Sequence, residues 1–201
     1  MKRLPFVLRC KSGLPNLDVL RPRLDALCAE NFSVWRIQDF LFFYGEYPDS
    51  TAPDALNALI EPLLNTCDRF ADPGTLPLMY HDLGVVRADK SLIRHRVFAT
   101  HLHPGCAEEY KRRHDALIAA RGDKITEGPE SNFTIWNANG YIFGYCELVR
   151  AYDHEMTADE RASTIAWETR QLEIMDWLTD DVDWITGQKH ESACRVWAQR
   201  S

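Results

Sequence analysis

The sequence predicts an α+β fold made of two similar βαββαβ units in tandem, and three observations carry that prediction. An aromatic stretch recurs in register, an amphipathic helical stretch recurs ahead of it, and strand-like and helix-like segments follow the same order in both halves. Residues 31–35 and 40–46 lie over residues 132–136 and 141–147 at a constant offset of 101, with six identities: Asn31/Asn132, Phe32/Phe133, Trp35/Trp136, Phe42/Phe143, Tyr44/Tyr145 and Glu46/Glu147. Upstream, residues 21–27 lie over 111–117 at an offset of 90, so the second half carries 11 extra residues (101 minus 90) between helix and next strand. Two matches in the same order point to internal repetition.

The elements follow in turn. Phe6, Val7 and Leu8 read as a strand, and Leu17, Leu20, Leu24 and Leu27 recur at helical spacing. Residues 32–37 and 40–47 are β-rich runs joined by Gln38-Asp39; the second half has Asn139-Gly140 there, a strong two-residue hairpin signal. Leu56, Leu59, Ile60, Leu63 and Leu64 form an apolar stripe that predicts a helix over residues 53–70, and a last strand is expected near residues 78–86. In the second half, residues 159–178 and 193–198 supply the matching helix and final strand. This order is that of a ferredoxin-like unit. Such a unit has helices on one sheet face only, so the other face must be buried on something. Two copies, residues 1–88 and 94–201 joined by a linker near 87–95, are therefore expected to pack as a single-chain dimeric α+β barrel, either as a monomer with an internal pseudo-dimer or as a homodimer.

Composition sets limits on function. Hydrophobic residues make up 45% and charged residues 26%, a globular balance. Residues 1–90 hold 10 basic and 12 acidic groups and residues 91–201 hold 13 and 18, so neither half is a basic domain and nucleic acid is not an expected partner. Arg9 and Lys11 cut the N-terminal apolar run short of an export signal, and no run approaches the ~20 apolar residues of a membrane span. Six cysteines without a CxxC pair read as free core thiols in a reducing compartment, hence a cytoplasmic protein. No P-loop, GxGxxG or GxSxG is present, which argues against nucleotide cofactors and serine hydrolases.

The two halves differ where chemistry is expected. The helix face that carries Leu17, Leu20, Leu24 and Leu27 in the first half carries Ala107, Tyr110, His114 and Leu117 in the second. Tyr110 and His114 thus occupy positions of core leucines, four apart on one inward face. A buried imidazole and phenol need hydrogen-bond partners; the 11-residue insertion, around Arg121-Gly122-Asp123 and residues 127–131, has the composition of a mobile loop, and a loop at that place is expected to cover a cavity mouth. On the outward face, Glu108 with Arg112 and Glu109 with Arg113 are i,i+4 pairs. His101 and His103 alternate on a strand without an acidic or cysteine partner at metal spacing, so no metal site is assigned. Glu147 is a candidate for a base, although its repeat counterpart Glu46 favours a structural role.

The run from His103 through Glu108-Glu109-Tyr110-Lys111-Arg112-Arg113-His114, followed by Asn132-Phe133-Thr134-Ile135-Trp136 and Leu178-Thr179-Asp180, resembles the L-rhamnose mutarotase family. The resemblance covers roughly residues 94–200 and makes the first half a degenerate echo. It implies a ferredoxin-like protein that interconverts sugar anomers without metal or cofactor, with a small sugar as its partner. It also implies His114 as the proton donor and Tyr110 as a sugar contact. Phe133 stands where the family has a second sugar-contacting Tyr, and Ile174-Met175 where it has an adjacent Trp pair, with Trp177 close by to substitute. Leu20 and Leu24 replace both carried-over residues in the first half, whose role is then structural. Histidine suits mutarotation because its unperturbed pKa of ~6.5 lets it give or take a proton near neutrality. Two other readings stand beside this one: a sugar or metabolite binding module without catalysis, and a cofactor-free oxygenase on the same fold.

Overall fold

The computed structural model describes residues 1–10, 12–87, 89, 92–125, 128–149, 155, 157–179 and 193–199. These form a mixed α+β protein with two antiparallel sheets, and the chain divides into two units, residues 1–76 with 193–201 and residues 77–192.

In the first unit the aromatic runs form a hairpin, β3 (Glu30–Ile37) and β4 (Phe40–Tyr47), in front of which stand β1 (Lys2–Arg3) and β2 (Phe6–Arg9). A 3-10 turn at Leu17–Leu20 runs into α1 (Arg21–Ala26), and α2 (Pro53–Ile60) follows the hairpin. The helix expected over 53–70 stops at Ile60, because Pro62 has no N–H to donate into it. A 3-10 turn at Glu61–Leu63 intervenes, and residues 68–71 form a strand, β5 (Asp68–Ala71). Leu20 and Leu24 are fully buried with Phe6, Leu8, Leu56 and Leu59 between the helices and the sheet.

The second unit repeats the plan. It holds β6 (Leu78–Gly84), β7 (Ile93–Leu102), α3 (Ala107–Arg121), β8 (Glu130–Ala138), β9 (Tyr141–Val149), α4 (Ala158–Gln171) and β10 (Met175–Thr179). The helix expected over 159–178 ends at Gln171, and the last of those residues turn back as a strand along β7. A capping box between Thr157 and Glu160 starts α4.

Sheet order explains where the remaining strands go. The first sheet reads β11-β3-β4-β2-β5, with β11 (Cys194–Ala198) at its edge, and the second reads β10-β7-β9-β8-β6. Apart from the strands at the β3 and β8 edges, and from β1, which pairs with β4, each has the 4-1-3-2 order of a ferredoxin-like unit. The fourth strands are β5 and β10, which take the edges beside β2 and β7. Residues 78–84 and 194–198, expected to close the first and second copies respectively, therefore lie on the opposite assignment: β6 pairs with β8 and β11 pairs with β3. The registers correspond, Arg195 opposite Trp35 and Leu78 opposite Trp136, each followed by a bulge.

Three of the six repeated identities have a shared physical reason. Asn31 and Asn132 both take φ of 50°, the left-handed region that Asn tolerates, at a bulge in β3 and β8. Each donates from Nδ2 to the carboxylate of the repeated glutamate, Glu46 at 2.9 Å and Glu147 at 3.2 Å. Tyr44 and Tyr145 donate to the same oxygens.

The structure departs from two expectations about side chains. Cys10 and Cys67 form a disulfide between the end of β2 and the approach to β5, while Cys28 and Cys194 are exposed, so the cysteines are not six free core thiols. That pairing removes the cysteine argument for a reducing compartment. No described helix is long and apolar enough to cross a membrane. Arg113 is buried rather than outward: Nε donates to Glu109 at 2.7 Å, Nη2 to Glu173 at 3.0 Å, and Nη1 to the Arg170 carbonyl, tying α3 to the end of α4.

Candidate active site

The inward face of α3 presents Tyr110 and His114, and a cavity of roughly 270 Å³ opens between that face, α4 and the second sheet. This is just below the usual ligand-pocket range of about 300–1,000 Å³. The Tyr110 and His114 rings lie 4.3 Å apart, one helical turn stacking them along the face. Trp167 from α4 meets the imidazole edge-on at 5.3 Å, and Tyr80 from β6 does so at 5.4 Å. The imidazole is thus enclosed by three aromatic rings and is 5% exposed.

Its hydrogen bonding fixes its tautomer. Nδ1 lies 2.9 Å from the Tyr110 carbonyl oxygen, which can only accept, so Nδ1 carries the hydrogen and the neutral ring keeps its lone pair on Nε2. Burial lowers the pKa of His114 below its ordinary value, and the bond to the Tyr110 carbonyl opposes that shift without cancelling it. At neutrality the ring is a neutral acceptor. Burial raises the pKa of the Tyr110 phenol, which stays protonated. Tyr80 is pushed up to about 12, first by burial and then by the neighbouring Asp82 carboxylate.

Of the residues singled out in the sequence, His114, Tyr110, Phe133, Met175 and Trp177 line this one cavity. Ile174 does not; it is buried in the apolar cluster with Phe98, Tyr110 and Met175. Its carbonyl instead accepts from the His103 backbone N–H. Trp177 lies 5.9 Å from Phe98 and donates from Nε1 to Glu168 at 2.8 Å. Glu147 stands with Asn132 and Tyr145 and is not among the cavity residues. His101 stacks on Tyr141 at 4.4 Å, and His103 faces Asp176 at 3.2 Å. Glu127 of the insertion and Asp180 of the Leu-Thr-Asp run lie outside the described residues, whereas Glu130, at the end of the insertion, lines the cavity.

Sequence reasoning missed the other walls. Thr164, Trp167, Glu168 and Gln171 form an i, i+3, i+4, i+7 face of α4, a pattern readable once the helix is known to end at 171. Gln171 is 2% exposed and its amide has no partner among the described residues. Arg96 and Phe98 alternate on β7 and face the same space. Tyr80 carried no signal, because it comes from the half of the sequence that lacks the helix motif.

A family model described as L-rhamnose mutarotase matches residues 95–198. Comparison with curated proteins gave no significant match, and neither did comparison with solved structures. The matched span exceeds half of the 201 residues and contains both Tyr110 and His114. The chain therefore belongs to the L-rhamnose mutarotase family, a family of carbohydrate mutarotases.

Proposed function

We propose that the protein is a mutarotase that interconverts the α and β anomers of L-rhamnose or a related deoxy sugar by acid/base ring opening, with His114 as its proton-transfer group. The observation that carries this reading is a buried imidazole with Nδ1 engaged and no partner on Nε2 among the described residues, set in an aromatic cavity lined mostly by the family-matched segment. Opening a pyranose requires a proton to leave the anomeric hydroxyl and a proton to arrive at the ring oxygen. Because His114 is neutral at pH 7, its Nε2 takes the proton of the anomeric hydroxyl, and the carbonyl forms as the bond from C1 to the ring oxygen breaks. The family resemblance implied a donor at this position; burial, by depressing the pKa, turns the resting residue into an acceptor. After rotation of the aldehyde, the ring recloses on the other face and His114 returns the proton to the anomeric oxygen. Tyr110 orients the sugar as a neutral phenol, and Phe133, Met175 and Trp177 supply apolar surface for its C–H face. No step calls for a cofactor.

The two units are, in this reading, a duplication whose first copy carries Leu20 and Leu24 in place of Tyr110 and His114. Matching bulges, registers and Asn–Glu bonds support it. Magnetisation exchange between the anomers of L-rhamnose, followed by NMR, tests the activity. Exchange faster than the spontaneous rate is expected for the wild type and its loss for His114→Ala; equal rates in the two proteins would remove His114 from the mechanism.

A further inference from the structure

The reaction above needs a second group, one that gives a proton to the ring oxygen, and the cavity that holds His114 is also lined by the phenol of Tyr80. Tyr80 stands on β6, lines the same cavity, and presents its ring edge-on to His114 at 5.4 Å and to Phe133 at 5.5 Å. We infer that Tyr80 is the catalytic acid, handing its phenolic proton to the ring oxygen as His114 removes the anomeric one. The inference rests on the mutarotase reading. It also assigns the first half of the sequence a part in the chemistry, since Tyr80 lies outside the family-matched residues 95–198.

The surroundings of Tyr80 suit this role. Its hydroxyl donates to Asp82 Oδ2 over 3.4 Å, the long end of hydrogen bonding, so little is lost when the proton turns toward a substrate oxygen. Asp82 is itself held in place, accepting from the Gly84 N–H at 3.0 Å and paired with Arg121 at the end of α3. Burial and the Asp82 carboxylate keep the phenol protonated at neutral pH. The phenolate left after transfer is favoured by the charge of Arg121, which offsets part of the opposing effect of burial and of the Asp82 carboxylate.

Protons and bonds balance. On opening, His114 Nε2 gains the proton of the anomeric hydroxyl, the bond from C1 to the ring oxygen breaks, and that oxygen gains the Tyr80 proton. On closing, the sugar hydroxyl returns its proton to the Tyr80 phenolate as it attacks C1, and His114 protonates the new anomeric oxygen. Neither residue is changed over the cycle, and no co-reactant is needed.

The test is Tyr80→Phe in the full chain, with anomer exchange of L-rhamnose measured by NMR across a range of sugar concentrations beside wild type and His114→Ala. Loss of general acid catalysis is worth about 100- to 10,000-fold. The expected result is a fall of that order in kcat with KM little changed and an unaltered melting temperature, because removing a hydroxyl from a half-buried ring leaves its packing intact. Asp82→Asn, which keeps the shape and removes the charge that holds the phenolic proton, is expected to keep kcat near that of wild type, unlike Tyr80→Phe. Exchange by Tyr80→Phe at the wild-type kcat, or a change confined to KM, overturns the assignment while leaving the mutarotase reading in place if His114→Ala is inactive. A wild type that accelerates no sugar tested overturns both.

Discussion

His114 has its charge state decided by burial and by one hydrogen bond, and the sign of its pH dependence follows. Its folded pKa is lowered while the unfolded chain keeps the ordinary value of ~6.5. The folded protein therefore binds fewer protons than the unfolded one in that window, and the contribution of His114 to stability is present above ~6.5 and is lost as pH falls through the lowered value. Activity that depends on a neutral acceptor follows the same direction. The exchange rate is expected to be flat through neutrality and to fall on acidification below pH ~6.5, with the midpoint under that of a free histidine. An NMR titration of the His114 ring carbons should give the same midpoint. A rate that rises on acidification would instead make the protonated ring the active form. The inward placement of Tyr110 and His114 was legible in the sequence because the first half holds leucines at the same places, which turned two ordinary residue types into a contrast. Tyr80 was not legible, since nothing in its local spacing says which sheet its strand joins.

At the scale of elements, the site depends on what one strand leaves out. Phe98 on β7 lies directly opposite Gly144 on β9, and the corresponding pair in the first sheet is Phe6 opposite Phe43, stacked at 4.2 Å. A Cβ on Gly144 would come within 2.1 Å of the Phe98 ring, so the glycine is what lets that ring lie across the strand and form part of the cavity wall. Gly144→Ala is expected to force Phe98 aside, lowering stability by about 1–3 kcal/mol and weakening sugar binding at the same time. Chemical denaturation and a binding titration check the two halves of that statement; a variant as stable as the wild type would show that the ring has room to move. The hairpins were legible because they are long, aromatic and repeated. The strands β5 and β10 were not: they are short edge strands with alternating polar residues, and the helices expected over 53–70 and 159–178 were carried on into them. In the first case Pro62 was the available stop signal, and the leucines after it masked it.

For the whole molecule, the consequence of the sheet orders is that neither half of the sequence completes its own sheet. Residues 78–84 pair with β8 and residues 194–198 with β3, so a chain divided between residues 88 and 94 separates each edge strand from the sheet that it extends. Element order was readable from periodicity, but the choice between two repeated and nearly equivalent edges is made by tertiary pairing, which periodicity does not encode. Fragments 1–88 and 94–201 prepared apart should each expose an unpaired strand edge, a template for association. Mixed, they are expected to co-elute as a one-to-one complex on gel filtration and to recover anomer exchange. Fragment 94–201 alone carries Tyr110 and His114 but lacks Tyr80, and it should stay inactive until fragment 1–88 is added. The Tyr80→Phe form of fragment 1–88 should restore the complex without restoring the rate, which separates the strand's contribution to folding from its contribution to chemistry. Full exchange by fragment 94–201 by itself would mean that the second half closes its own sheet when given no alternative, and that the proton for the ring oxygen comes from within residues 94–201.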